Sequence, residues 1–526
     1  MLSHQGERFR PMTVAGLMRQ AARYNASQTA VIHSERELSF ADAYDRGVRM
    51  ANGLLGLGLN PGDRIAVLED NSLESQDMFL GAALAGLVRV PLYARNAMSS
   101  HVHMVSHTGC KGIVVSANYL EEAKSLIAEV PAITVLLCRD DRYERWLADQ
   151  SAQDPEISIQ EDDWFIIRHT GGTTGKPKGV AYSHRTWIDA GRDWFYNFPP
   201  MEPGDVCLHV GPISHGSGYL YTPAWLAGCA NHLMSAFHPE AVLRAMAEGK
   251  GSYMFMVPSM LNQIVRHPLA RSLDYPKLKV IQIGGAPIAD ETALLGREVF
   301  GDVLYQGFGQ TEALPVCMMG PTEWFSAVEG SEPLRSAGRV LPYAYLEIRD
   351  PEAPMNEVGL GNEGEIAIRC DGQMLGFWDN DAATQERVTE DGFVLTGDIG
   401  RIDRNGYLYV LDRKDDMIIS GGFNIWPAEL ENVILDHPGV EEVAVFAVPS
   451  EAWGETPVAV CVVADPDAFT QEAIIERCKT SLGSYKKPSQ VLFQTEPLPK
   501  SPVGKVQRKV LREQFWGTGE RRVSGS

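Results

Sequence analysis

Short, uninterrupted apolar runs recur over residues 1–160 and again between Asp205 and Val303, with helix-spaced stretches between them. Arg64-Ile-Ala-Val-Leu68 and Gly112-Ile-Val-Val115 are such runs. Val14–Tyr24 behind Thr13, and Ser39–Leu57 opening on its own serine, read as capped helices. A strand that is apolar on both faces has to be covered on both faces. The alternation therefore predicts an α/β fold with layered sheets under helices. After Gly338 the pattern shortens to β segments divided by Gly, Asn and Asp turns, which predicts a small β-rich part. From about Leu411 a compact series follows: a strand at Met417–Ile419, a helix at Pro427–Leu435 and strands at Val443–Val448 and Val458–Val463. A helix at Gln471–Leu482 and a strand at Val491–Phe493 complete it. That series has the size of a small α/β domain. We expect a large N-terminal region, residues 1–412, and a small C-terminal domain, residues 413–526, with Asp412-Arg-Lys-Asp-Asp416 as the hinge.

Charge narrows the possible partners. Lysine and arginine number 47 against 68 acidic residues, a net charge of −21. Nucleic-acid binding needs clustered cations to neutralise phosphates, so no nucleic-acid partner is expected. A local basic pocket for a nucleotide remains open. The 8 cysteines include no CxxC pair, which suits reduced thiols rather than zinc ligation or a disulfide framework. The N-terminal stretch lacks the apolar core of a signal peptide. The longest apolar run, Met78–Val88, is closed by Asp77 and Arg89 and falls short of the about 20 residues that cross a bilayer. A cytoplasmic protein without a transmembrane segment is expected, and no sequence pattern reports its oligomeric state.

Directly after the apolar strand Trp164–Ile167 stands His169-Thr-Gly-Gly-Thr-Thr-Gly-Lys-Pro-Lys-Gly-Val180. Glycines let the backbone approach an anion, and successive N–H groups form a nest for phosphate. Thr173 and Thr174 add hydroxyls, and Lys176 and Lys178 add charge. The spacing is not that of a Walker A loop, because Thr170 replaces its first glycine and Pro177 its Ser/Thr.

This loop resembles the Ser/Thr/Gly-rich signature of the adenylate-forming superfamily: acyl-CoA synthetases, peptide-synthetase adenylation domains and luciferases. His169 and Gly171 stand where Tyr and Ser are usual. Other signatures follow in order: Gly284-Gly-Ala-Pro287, Gln306-Gly-Phe-Gly-Gln-Thr-Glu312, Thr396-Gly-Asp-Ile-Gly400 and Pro499–Arg508. Together they span about Pro11 to Gln514. The resemblance implies an AMP-forming acid–CoA ligase that uses ATP, Mg2+ and CoA, with an acyl-adenylate between two half-reactions. Loading of an acid or amino acid onto a carrier protein is the alternative.

By the same resemblance, Thr170, Gly171, Gly172, Thr173, Thr174, Gly175 and Lys178 hold the phosphates, Thr174 among the catalytic groups. Gly285, Ala286, Pro287, Gln306, Gly307, Phe308 and Gly309 border the purine, and Thr311 reaches a phosphate. Glu312 is the metal ligand, Asp398 and Arg413 sit at the ribose, and Lys505 is the adenylation lysine. His215, Gly216, Gly285 and Gly309 face the acid, with Gly216, Gly218 and Gly309 leaving room for it. Tyr219, Tyr221 and Trp225 are expected to make its pocket apolar. The C-terminal domain is implied to rotate about Asp415, bringing Gly421, Gly422 and Trp453 to a CoA channel. Gly359-Leu-Gly-Asn-Glu-Gly364 fits a dinucleotide pattern but precedes a strand, so it reads as a turn. His101, His103 and His107 lack a completing acid or thiol and read as packed or solvated histidines.

Overall fold

The computed structural model describes residues 11–94, 96–170, 176–420, 423–450, 453–500 and 506–516. Four sheets organise them. The first has nine strands, running from Arg339–Val340 through Ala313–Met319, Leu304–Gln310, Val280–Ile283 and Tyr253–Met256. It continues through Val206–His209, Ala230–Leu233, Thr29–His33 and Arg36–Ser39. The second has seven: Gly376–Phe377, Lys178–Ser183, Trp164–Thr170, Val88–Pro91, Arg64–Leu68, Cys110–Ser116 and Val135–Arg139. Central strands of both sheets run parallel and read as continuous apolar segments because both faces are buried. A five-stranded antiparallel sheet, Ala344–Asp350 to Leu408–Arg413, is the predicted β-rich part.

The fourth sheet joins Ile418–Ser420, Phe423–Ile425, Val440–Ser450 and Gly454–Val463, with Gln490–Gln494 parallel to the last of these. Helices Pro427–Leu435 and Gln471–Leu482 bury Leu430, Ile434, Ile474 and Cys478 in its core. Both helices have the predicted bounds, and the first strand lies one residue later than expected.

Local chemistry explains the helix starts. The Thr13 side chain accepts from the Gly16 N–H ahead of helix Val14–Tyr24, and Ser39 accepts from Asp42 N–H ahead of Phe40–Gly56. The long apolar run proves to be a helix, Ser75–Leu84, buried on every side, followed by strand Val88–Pro91. The two charges that close the run are buried as well. Asp77, fully buried, meets Arg46 at 2.7 Å and accepts from the Tyr143 hydroxyl at 2.8 Å. Arg89 lies over the Phe79 ring, 3.8 Å from its centre. Among the described residues no helix is long and apolar enough to cross a membrane.

Candidate active site

The segment predicted to hold phosphate follows one and precedes the other of two antiparallel strands, Trp164–Thr170 and Lys178–Ser183, with Thr170 opposite Lys178. The loop residues Gly171, Gly172, Thr173, Thr174 and Gly175 lie outside the described residues. At the frame, the Thr170 hydroxyl is 3.4 Å from Glu312 Oε1. Tyr182, on the returning strand, donates its hydroxyl to the Thr311 carbonyl. Both strands that frame the loop are therefore tied to Thr311-Glu312. Glu312 is buried, so its carboxylate is kept from bulk water beside the Thr170 hydroxyl.

Gln306–Gln310 belongs to strand Leu304–Gln310, beside strand Val280–Ile283. Gly284 and Gly285 turn the chain at the end of that neighbour, Gly285 with φ +82, a region that glycine enters without strain. A Cβ on Gly284 would stand 2.9 Å from the Gly307 carbonyl oxygen, which fixes how closely the two segments pass. Ala286 and Pro287 follow in the same turn. Phe308 packs half-buried against the core of the antiparallel sheet.

Strands Val394–Ile402 and Leu408–Arg413 set Asp398 opposite Arg413. Arg413 Nε lies 2.8 Å from Asp398 Oδ1, and Gln310 Nε2 donates to Asp398 Oδ2 at 2.6 Å. Arg387 Nη2 donates to Gln310 Oε1 at 3.0 Å and to the Thr396 carbonyl at 2.7 Å. Gln310 and Arg387 were not singled out from the sequence. Gln310 stands inside a signature that drew attention to its neighbours, and Arg387 belongs to no recognisable pattern.

His215 caps a short 3-10 segment, Gly216–Tyr219, and its ring meets Tyr93 edge-on at 5.0 Å. Arg168 Nη2 donates to the His215 carbonyl at 2.7 Å. His209 anchors the segment from below: its Nδ1 is 3.0 Å from the Ser217 hydroxyl and its Nε2 2.7 Å from Asn231 Oδ1. Burial holds His209 neutral, lowering its pKa to about 4.

Two expectations about this region are corrected. The glycines do not leave empty room. A Cβ would meet Phe255 at 2.9 Å from Gly216, the Ile213 carbonyl at 1.9 Å from Gly218 and Leu314 at 2.9 Å from Gly309. They are needed because the chain packs on itself. Nor do the aromatics all face a pocket. Trp225 is fully buried against Phe40 and donates to the Met18 carbonyl at 3.0 Å, whereas Tyr221 stacks on Phe79 at 4.3 Å with its hydroxyl unpartnered. Only Tyr219 belongs to the segment beside His215.

Lys505, Gly421 and Gly422 lie outside the described residues, as does the side chain of Asp415, whose backbone forms a 3-10 turn with Lys414 and Asp416. Lys500 and Val506 pair as an isolated bridge, so the segment carrying Lys505 starts and ends at one place. Ser420 faces Gly454, next to the exposed Trp453. Of the other histidines, His101 is buried, with its ring nitrogens 2.8 Å from Glu122 Oε1 and 2.8 Å from the Tyr93 carbonyl. His103 Nε2 lies 3.0 Å from the Pro177 carbonyl. Among the described residues no group of three or more His, Cys, Asp or Glu could hold a metal.

Comparison with known proteins agrees with this geometry. Residues 17–378 match the family described as AMP-binding enzyme, and residues 429–505 match the AMP-binding enzyme C-terminal domain. A feruloyl-CoA synthase of Amycolatopsis is 33% identical over 500 residues, covering 94% of this chain and 97% of its own. The long-chain-fatty-acid–CoA ligase FadD13 of Mycobacterium tuberculosis is 32% identical over 512 residues, covering 96% and 99%. The crystal structure of ATP-bound MatB from Rhodopseudomonas palustris superposes with a TM-score of 0.87 at 27% identity, over 96% of this chain and 99% of that one.

Proposed function

The chain belongs to the AMP-binding enzyme family, and from that premise we propose that it is an ATP-dependent, AMP-forming ligase. It joins a carboxylic acid with an apolar body to coenzyme A through an acyl-adenylate, as an aromatic, alicyclic or medium-to-long acyl acid would require. The observation that carries the reading is the meeting of Thr170 and Glu312 at the foot of the phosphate loop. Gln310, at the end of the strand that leads to Glu312, joins the cradle that Asp398 and Arg413 form on two other strands.

In the first half-reaction a carboxylate oxygen attacks the α-phosphorus of ATP and pyrophosphate leaves. Asp398 accepts from the ribose hydroxyls while Arg413 and Gln310 hold it in place. Gly285-Ala286-Pro287 and Phe308 bound the purine, and Thr170 through Gly175, with Lys178 and Thr311, take the phosphates. Negative charge grows between the carboxylate and the phosphorus, where Lys505 supplies a counter-charge. The hard oxygens of Glu312 and Thr170 fit magnesium, which takes one or two carboxylates and keeps phosphate and water as its other ligands. Bound there, the ion would neutralise the departing pyrophosphate. In the second half-reaction the thiol sulfur attacks the acyl carbonyl carbon, the C–O bond to phosphate breaks and AMP leaves. Gly421, Gly422 and Trp453 border the thiol's route, and His215 orients the acid. The reaction consumes cytoplasmic metabolites, and a cytoplasmic location is part of the proposal.

The test is a panel of acids assayed for AMP formation with and without CoA. Octanoate or benzoate should exceed acetate in kcat/KM, since each buried CH2 contributes about 0.8 kcal/mol. Acetate as the best acid would remove the apolar assignment. Acid-dependent pyrophosphate release with no thioester on adding CoA would replace CoA by a carrier protein as acceptor.

A further inference from the structure

Arg89 stands opposite Ile166 on the parallel pair Val88–Pro91 and Trp164–Thr170. Residues two apart on a strand share a face, so Arg89 and Arg168 emerge side by side on the face that also carries Ile166. That face meets the core shared by the first and second sheets. Both arginines are nearly sealed, with 5% and 3% of their surface exposed. Arg168 is partly used: Nη2 donates to the carbonyls of Ile213 at 3.3 Å and His215 at 2.7 Å, and its guanidinium lies 4.1 Å from the Tyr219 ring centre. Its Nε has no hydrogen-bond partner.

Arg89 has less. Its Nε and Nη2 are buried without hydrogen-bond partners, and among the described residues no carboxylate pairs with it. Glu69, whose charge reaches Arg89, is held by Arg139 and by the Ser75 hydroxyl. The hydroxyl of Tyr221, a fully buried residue, also lacks a partner. Burial, with repulsion from Arg168, lowers the Arg89 pKa to about 9. A guanidinium withdrawn from water without an acceptor is strongly unfavourable, and buried polar groups in native proteins are nearly always paired. Four orphaned donors, on Arg89, Arg168 and Tyr221, thus call for an acceptor. Arg168 lies against His215 and Tyr219, in the segment assigned to the acid, and Arg89 stands within reach of the charge of Arg168 and of Tyr221.

We propose that Arg89, Arg168 and Tyr221 close the far end of the acid pocket and bind a second oxygen function of the substrate. The acid is then one with an apolar body bearing a keto, hydroxyl or carboxylate oxygen remote from the reacting carboxylate. The rings of Phe79 and Tyr219, which stack under the two guanidinium groups, flank that oxygen and pack on the apolar body. The assignment rests on the ligase reading for which carboxylate reacts, and on the orphaned donors for what the other end carries.

The experiment uses linear acids from hexanoate to dodecanoate, each plain, ω-oxo, ω-hydroxy and ω-carboxy. CoA-dependent AMP formation and equilibrium binding of each acid are both measured on the full chain. At the best length, an oxygenated acid should exceed its plain counterpart by about 10- to 100-fold, the range that a hydrogen bond to a charged group supplies. Arg89→Met should collapse that ratio, Arg89→Lys should keep part of it and Tyr221→Phe should reduce it. The ratio cancels the fraction of folded enzyme, so a partly misfolded variant still gives an answer. The ω-carboxy arm, against the ω-oxo and ω-hydroxy arms, separates an anion from a neutral acceptor. Equal handling of plain and oxygenated acids by the unaltered protein would overturn the proposal, as would a ratio untouched by Arg89→Met, leaving water as the occupant. Binding preference without AMP formation would support this site and overturn the ligase reading. AMP formation without preference would do the reverse.

Discussion

Asp398 shows how much one side chain carries here. One oxygen meets Arg413 and the other Gln310, and Gln310 is held in turn by Arg387. Removing the carboxylate leaves the Arg413 guanidinium and the Gln310 amide aimed at a gap. Asp398→Ala should therefore raise KM for ATP by about 10- to 100-fold, as loss of a charged acceptor does, with little change in KM for CoA. A KM for ATP within a factor of about two of the unaltered enzyme would contradict the ribose assignment. Glu312→Gln should act differently, lowering kcat and shifting the magnesium dependence to higher concentration, because an amide is a poorer ligand for a hard cation. The sequence draws attention to Asp398 and Glu312 because each stands in an ordered signature, and to Arg413 by family resemblance alone. Arg387, Arg89 and Arg168 were not legible as functional groups, since their roles depend on which strands become neighbours. Some glycines and aromatics near His215 misled for the same reason: Trp225 packs into the core, and Gly218 accommodates the Ile213 carbonyl.

Among the elements, the strands and helices were largely legible because their patterns are local. Thr13 and Ser39 cap the helices they were expected to cap, and Pro427 opens its helix at the first position, where no N–H is needed. Strand ends were less legible: Val440–Ser450 outruns its apolar centre at both ends because pairing with Gly454–Val463 continues past it. The 3-10 segment Gly216–Tyr219 depends on His209 staying neutral. Its folded pKa of about 4 lies below the ordinary 6.5, so the unfolded chain takes up the proton first as pH falls. Stability from this residue is complete above about pH 6.5 and declines as pH drops toward 4. The span corresponds to at most about 3 kcal/mol. The stability of the unaltered protein relative to His209→Gln should fall between pH 7 and pH 5, measured by urea unfolding. An unaltered protein whose stability relative to the variant grows on acidification would contradict this account of the segment.

For the whole molecule, the proposal asks one site to perform two chemistries, with Lys505 present for the first and the thiol admitted for the second. Trp426 Nε1 donates to Glu363 at 3.2 Å and Lys414 lies 3.0 Å from Glu365, so the fourth sheet touches the antiparallel sheet through few polar groups around residues 414–426. Arg508 gathers Asp412, Asp416 and Glu431 on the other side of the same turn. The proposed rotation there would change the backbone angles of Lys414–Asp416, and proline fixes φ near −65°. Asp415→Pro should keep acid-dependent pyrophosphate release and lose most thioester formation from supplied acyl-adenylate, while Lys505→Ala should show the opposite split, with adenylation down about 10²–10³-fold. Equal losses in both half-reactions for either variant would sink the two-arrangement scheme. The central claim is that a carboxylate oxygen attacks the α-phosphorus. It is tested most directly by supplying the acid with both carboxylate oxygens replaced by the heavy isotope, together with ATP, magnesium and CoA, and reading the products by mass spectrometry. The account predicts one heavy oxygen in each AMP and the other retained in the thioester carbonyl. Unlabelled AMP, or ADP and phosphate in its place, would contradict it.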